Sequence, residues 1–152
     1  KAHICKILEE TDPAAAHALL MIDVDHFKQI NDSYGHAVGD GVLREIAAKL
    51  RFHFREDDVC GRIGGDEFMV FLKDISGEEW LNDKLERLVT YLHNDITIDG
   101  RAYKVSSSIG AALYPEAGND FDSLYRNADA ALYLSKEHGR DRFTIYHLPR
   151  EE

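Results

Sequence analysis

The stretch Arg62-Ile63-Gly64-Gly65-Asp66-Glu67-Phe68-Met69-Val70-Phe71 constrains the fold more than any other part of the chain. It holds two short apolar runs, Val59 to Ile63 and Phe68 to Leu72, joined at a Gly-Gly pair. Both glycines can take positive φ, so the pattern predicts two antiparallel strands and a tight hairpin. Asp66 and Glu67 follow the turn at once, and strand alternation sends neighbouring side chains to opposite faces. Bare backbone beside carboxylates suits a metal-bound phosphate ligand, because no side chain blocks the approach. Taken alone, the stretch reads better as a solvated turn with polar tips, because Gly-Gly-Asp turns are common.

A second stretch, Ala18-Leu19-Leu20-Met21-Ile22-Asp23-Val24-Asp25, reads as a buried apolar strand ending on acids. Asp23 and Asp25 are two apart and share a face if the strand persists that far. A buried, unpaired carboxylate is costly, and a hard cation relieves the cost. Two acid-tipped strands are therefore expected to hold Mg²⁺ against substrate phosphates.

The rest of the chain reads as one α+β domain. Lys1 to Glu10 is expected to be helical, Thr11-Asp12-Pro13 breaks that helix, and a strand runs from about His17 to Val24. His26 to Tyr34 is expected as a short helix, and Gly39-Asp40 as the opening of a longer one with the stripe Leu43, Ile46, Ala47, Leu50 and Phe54. In that position Asp40 would favour the helix N-terminus. After the hairpin come a helix from Glu78 to Asn94, a strand at Ile96-Thr97-Ile98, and a single strand from Tyr103 to Leu113 after an Asp99-Gly100 turn. A helix carrying Phe121, Leu124, Tyr125, Ala128 and Leu132 ends near Gly139, and Phe143 to His147 is a last strand. This order implies a mostly antiparallel sheet with helices packed on it.

The 152 residues suffice for a sizeable core. The 18 basic and 28 acidic residues give a net charge of −10 with His neutral, and no basic run is present. A nucleic-acid surface is therefore not expected. A triphosphate would need metal ions and local cations to be held. Cys5 and Cys60 have no metal-ligand spacing and are expected to be reduced thiols, Cys60 as a small buried apolar residue. His36 is expected to be packed rather than catalytic. No apolar run approaches the ~20 residues of a membrane span, so no direct membrane contact is expected.

Several ordered blocks give the chain a resemblance to the GGDEF domain of diguanylate cyclases. They are Asp23-Val24-Asp25-His26-Phe27-Lys28-Gln29-Ile30-Asn31-Asp32, Gly35-His36, Gly39-Asp40, Arg62-Ile63-Gly64-Gly65-Asp66-Glu67-Phe68, Ala128-Asp129-Ala130-Ala131-Leu132-Tyr133 and Lys136-Glu137-His138-Gly139-Arg140. The resemblance implies a ferredoxin-like fold, similar to the palm of nucleotide cyclases and polymerases. It also implies a single GGDEF domain over residues 1–152, truncated at its N-terminus and excised from a larger multidomain protein, because a motif that precedes the first helix in the family is absent.

The implied activity is Mg²⁺-dependent condensation of two GTP into cyclic di-GMP and two pyrophosphates, by a homodimer with facing half-sites. The implied compartment is the cytoplasm, including the cytoplasmic part of a membrane-bound bacterial sensor. The implied ligands of two Mg²⁺, with Mn²⁺ as a substitute, are Asp23, Asp66, Glu67 and the Ile22-Val24 backbone. Asp66, Glu67 and Lys28 are the implied catalytic groups. Asn31 and Asp40 are the implied guanine readers, with Phe27, Arg62, Gly64, Gly65, Lys136 and Arg140 completing substrate binding. Arg55 and Asp58 form an Arg-x-x-Asp at the family's offset from the hairpin, which implies an inhibitory site for cyclic di-GMP. Without the resemblance they read as a solvated charged loop. The competing reading is a catalytically silent module that binds GTP or cyclic di-GMP as a signalling receptor. A relaxed cyclase that also accepts adenine is disfavoured by Asp40, since guanine N1 and N2 donate where adenine does not.

Overall fold

A computed structural model describes residues 1–149. The elements, in order, are α1 (Ala2–Glu10), β1 (Ala16–Val24), α2 (Phe27–Tyr34), α3 (His36–His53), β2 (Val59–Gly64), β3 (Glu67–Ile75), α4 (Glu78–Leu92), β4 (Asn94–Ile98), β5 (Arg101–Val105), β6 (Ser107–Tyr114), α5 (Phe121–Glu137) and β7 (Phe143–Ile145).

β1 lies at the centre of a five-stranded sheet ordered β2-β3-β1-β6-β7. It pairs antiparallel with β3 on one side and β6 on the other, and only the β6–β7 pair is parallel. β1 is apolar at nearly every position because both faces of the sheet are covered. Ala18, Leu20, Ile22 and Val24 point into a core shared with Val42, Ile46 and Leu50 of α3 and Leu81, Leu85 and Leu88 of α4. Leu19 and Met21 point to the other face, against Ile4 of α1 and Leu124, Ala128 and Leu132 of α5. Asp23 continues the odd series, so the acid at the strand end faces the α5 side of the sheet.

Close approach of α5 to that face depends on Gly110. A Cβ there would lie 2.1 Å from the Leu132 amide nitrogen and 2.2 Å from the Ala128 carbonyl oxygen. The packing that aims the C-terminal turn of α5 at the site thus rests on a missing methyl.

Three expectations change. The stretch expected as one strand from Tyr103 to Leu113 is two strands broken at Ser106, with β5 in a separate hairpin with β4 and β6 in the main sheet. The break exists because the Ser106 carbonyl accepts from the Asp25 amide at 3.0 Å and its hydroxyl donates to the Asp25 carboxylate at 2.7 Å. α3 begins at His36, so Asp40 stands beyond the first turn, which holds no acid. Its role is therefore not that of a capping acid. His36 opens that helix exposed to solvent rather than packed, because the chain turns outward at Gly35, whose φ is 91°.

Candidate functional site

The hairpin forms as the glycines dictate. Gly64 and Gly65 have φ of 153° and 46°, and added Cβ atoms would meet nothing within 4 Å. Backbone conformation rather than crowding requires glycine there. Arg62 folds back over the tip, and its Nε donates to the Gly65 carbonyl at 2.8 Å.

The strand register brings the acids together. Asp23 pairs across β1–β3 with Glu67, and the Val24 amide donates to the Asp66 carbonyl at 3.2 Å. The Asp66 side chain lies next to Asp23 in the same cleft. Burial, and then the adjacent Asp66 side chain, push the Asp23 carboxyl up to about 7, against the opposing pull of Lys136. One Asp23 oxygen, Oδ2, is paired with the Lys136 ammonium, while Oδ1 is buried without any hydrogen-bond partner.

An orphaned carboxylate oxygen beside a second carboxylate fits a hard divalent cation. Lys136 supplies the positive charge at that point. Among the described residues, no group of three or more His, Cys, Asp or Glu side chains is arranged to hold a metal. Side-chain donors available to such an ion would be Asp23 and Asp66, with Glu67 half-buried beside them. This suits an ion that takes its remaining oxygens from a phosphate ligand. Ile22 is fully buried, so only its backbone is available.

Around these acids lies a cleft of about 310 Å³, lined among others by Val24, Phe27, Lys28, Asp66, Lys136 and Arg140. Lys136 lies in the last turn of α5, but that helix ends at Glu137. Arg140 therefore reaches the cleft from a loop, with φ of 63°, rather than from the helical face that a spacing of four predicts. Asp25 does not join Asp23 as a second acid on one face. β1 ends at Val24, and the Asp25 carboxylate is buried under Ser106, Ser108 and the Asp141 amide.

A second cleft, of about 420 Å³, opens between α3 and β2 and is lined by Asp40, Leu43, Arg44, Arg62, Phe68 and their neighbours. Asn31 stands beside this helix. A Cβ on Gly39 would come within 1.8 Å of its Oδ1, an oxygen that is buried and without a hydrogen-bond partner. Of the expected residues, Asp23, Val24, Phe27, Lys28, Asp66, Lys136 and Arg140 thus line the acid-and-cation cleft and Asp40 and Arg62 the second, while Asn31, Gly64 and Gly65 line neither. Cys60 lines the second cleft half-buried, and burial raises its thiol above the ordinary value. Arg44 and Arg51 also line it. Sequence reasoning missed both, and their only signal was i, i+7 spacing on one helical face.

Arg55 and Asp58 are engaged with each other. The guanidinium reaches Asp58 Oδ1 at 3.3 Å and the Lys73 carbonyl at 2.6 Å, while Asp58 accepts from the Arg55 amide at 3.0 Å and the Lys73 amide at 3.2 Å. The Asp58 side chain is 2% exposed and that of Arg55 is 55% exposed. The segment is an anchored corner on β3 rather than a free charged loop.

The family model for the diguanylate cyclase GGDEF domain matches residues 4–142. The chain is 39% identical over 129 residues to the cyclic di-GMP phosphodiesterase NbdA of Pseudomonas aeruginosa, covering 85% of this chain and 16% of that protein. It is 37% identical over 145 residues to diguanylate cyclase A of Treponema denticola, covering 94% of this chain and 38% of that one. Among solved structures, the GGDEF domain of YfiN (TpbB) from Pseudomonas aeruginosa superposes with a TM-score of 0.92 at 34% identity, covering 97% of this chain and 93% of that one. The GGDEF domain of DgcB from Caulobacter crescentus with its coiled coil, solved with cyclic di-GMP, superposes with a TM-score of 0.84 at 26% identity, covering 95% and 77%. The chain spans well under half the length of these curated relatives. A match of this extent, on a fold this close, identifies the chain as a member of the diguanylate cyclase GGDEF-domain family.

Proposed function

We propose that this domain condenses two GTP into cyclic di-GMP in the cytoplasm. The observation that carries the reading is Asp66 of the hairpin turn lying beside Asp23 near the end of β1, with an orphaned acid oxygen and three cationic side chains, Lys28, Lys136 and Arg140, in the same cleft. In the reaction, the 3′-oxygen of each GTP attacks the α-phosphorus of the other. Two phosphodiester bonds form, two anhydride bonds break, and two pyrophosphates leave.

Asp23 and Asp66 would hold Mg²⁺ or Mn²⁺, with backbone carbonyls of Ile22 and Val24 completing the protein's share. When bound, the metal would neutralise the triphosphate and acidify the 3′-hydroxyl. Asp66 accepts the hydroxyl proton, with Glu67 beside it. Lys28, Lys136 and Arg140 bind phosphate oxygens, and Arg140 can do so with two parallel N–H groups. Asp40 accepts from guanine N1 and N2, while Asn31 offers a carbonyl oxygen that otherwise lacks a partner. Phe27, Arg62, Gly64 and Gly65 complete substrate binding. Because each chain holds one GTP, turnover needs two domains facing each other.

Product analysis after incubation with GTP and Mg²⁺ tests this. Wild type is expected to yield cyclic di-GMP and pyrophosphate, and Asp66→Asn to lose nearly all synthesis while staying folded. Wild-type turnover by that variant would remove Asp66 from the mechanism.

A second reading is a silent module that binds GTP or cyclic di-GMP for a fused partner. It is favoured by the phosphodiesterase names of NbdA and of PdeR from Escherichia coli, which is 37% identical over 128 residues. Nucleotide binding without any product would select this reading.

A further inference from the structure

We propose that Asp25 is a positioning residue that holds Arg140 at the phosphate-binding cleft by fixing the backbone of the loop after α5. The inference rests on the reading of Arg140 as a phosphate partner, while the loop geometry stands by itself.

Asp25 is 7% exposed and follows directly on β1. Its carboxylate accepts from Ser106 Oγ at 2.7 Å, Ser108 Oγ at 2.6 Å and the Asp141 amide at 3.0 Å. Its own amide donates to the Ser106 carbonyl at 3.0 Å. Three donors from two separate segments, the start of β6 and the loop after α5, thus converge on one buried carboxylate. Buried carboxylates are tolerated when hydrogen-bonded in this way.

The segment that Asp25 holds is conformationally unfavourable. Arg140 and Asp141 both have left-handed backbones, with φ of 63° and 51°. Two successive non-glycine residues in this region persist only when their surroundings over-determine them. The determinants here are specific. The Arg140 amide donates to the Ser135 carbonyl at 3.0 Å, the Asp141 amide to Asp25, and the Asp141 carboxylate meets His93 Nδ1 at 2.7 Å. Downstream, the Arg142 carbonyl accepts from the Ile109 amide at 2.9 Å. Removal of the Asp25 acceptor would leave the Asp141 amide unpaired and let the Arg140 peptide rotate. The guanidinium would then leave the cleft that Lys136 and Asp23 share.

The test uses Asp25→Asn, Arg140→Ala and the double variant, with titration of a non-hydrolysable GTP analogue and amide exchange of residues 138–142. Asp25→Asn is expected to weaken nucleotide binding about tenfold, the scale of one lost charge-assisted contact. Arg140→Ala is expected to match it, and the double variant to be no weaker than Arg140→Ala alone, since both remove the same interaction. The Asp141 amide is expected to exchange at least about tenfold faster in Asp25→Asn, while the amides of β1 and β3 keep their protection. If Asp25→Asn does not fold, Ser106→Ala serves instead, with smaller shifts in the same directions. Additive losses in the double variant overturn the proposal, as does faster exchange with unchanged affinity. Absence of nucleotide binding by wild type would refute the nucleotide-site reading, and unchanged Asp141 exchange would refute the positioning independently.

Discussion

At the scale of single residues, Asn31 and Gly39 show how a side chain is positioned by what its neighbour lacks. The Asn31 amide occupies the space that a side chain at position 39 would fill. Gly39→Ala should therefore move Asn31 rather than break the helix. The clash falls mainly on the end of a flexible side chain, and alanine favours a helix interior over glycine. Melting is expected to change by less than ~1.5 kcal/mol. GTP affinity is expected to fall by ~1–3 kcal/mol, since a displaced acceptor leaves a guanine donor unpaired. Calorimetric titration beside thermal unfolding separates the two effects, and an unchanged affinity would take Asn31 out of base recognition.

At the scale of elements, the contact of β6 with α5 is the tightest constraint on the site. Gly110→Ala would drive a methyl into the backbone of Leu132 and Ala128, which cannot rotate away. A loss of ~3 kcal/mol or more is expected, at or above the upper end for overpacked cores, and a denaturant midpoint measures it. Arg55 and Asp58 lie at the other end of the sheet, where the corner before β2 is fastened to β3 at Lys73. The half-exposed Arg55 can turn to a ligand while Asp58 holds the corner. Arg55→Ala is expected to abolish or sharply weaken cyclic di-GMP binding while leaving the initial rate on GTP nearly intact. Asp58→Ala should in addition cost ~1–3 kcal/mol of stability, because the Lys73 amide loses its acceptor. Equal affinity for cyclic di-GMP in wild type and Arg55→Ala would return the corner to a purely structural role.

At the scale of the whole molecule, two histidines tie stability to pH. Burial, reinforced by Lys84 and Arg87, lowers the His53 imidazolium to about 4 from its ordinary 6.5. His17 is also lowered by burial and accepts from the Asp74 amide at 2.9 Å. Between about 4 and 6.5 the unfolded chain binds more protons at His53 than the folded one, and lowering acts in the same sense at His17. The His53 contribution is therefore complete above pH 6.5 and is lost as pH falls toward 4. Asp23, raised to about 7, acts in the opposite sense, so only the difference between variants isolates the histidine effect. His53→Phe retains a ring to stack on Tyr91 at 5.4 Å and should flatten the acid side of the urea-midpoint profile relative to wild type. Parallel profiles would mean that His53 titrates alike in the folded and unfolded states. Sedimentation addresses assembly: the isolated chain is expected to be mostly monomeric at low concentration and to dimerise with nucleotide. A tight dimer without ligand would contradict this.

The sequence by itself determined the elements that rest on local chemistry. The Gly64-Gly65 hairpin, the buried β1 ending on Asp23, and the helical stripes of α4 and α5 all follow from backbone freedom and periodicity, and all appear within a few residues of expectation. The blocks that carry the family resemblance were legible for the same reason, since each is contiguous. Tertiary structure decided what depends on distant partners. Asp25 looked like a twin of Asp23, but Ser106, Ser108 and the Asp141 amide, from 81 to 116 residues away, claim its carboxylate. Ser106 divides one apolar run into two strands because its carbonyl turns to Asp25 rather than to a strand neighbour. Arg140 joins Lys136 at the cleft through a left-handed loop rather than through helical spacing. Periodicity reports which face a residue occupies, while the partner of a buried charge is fixed only when separate segments pack together.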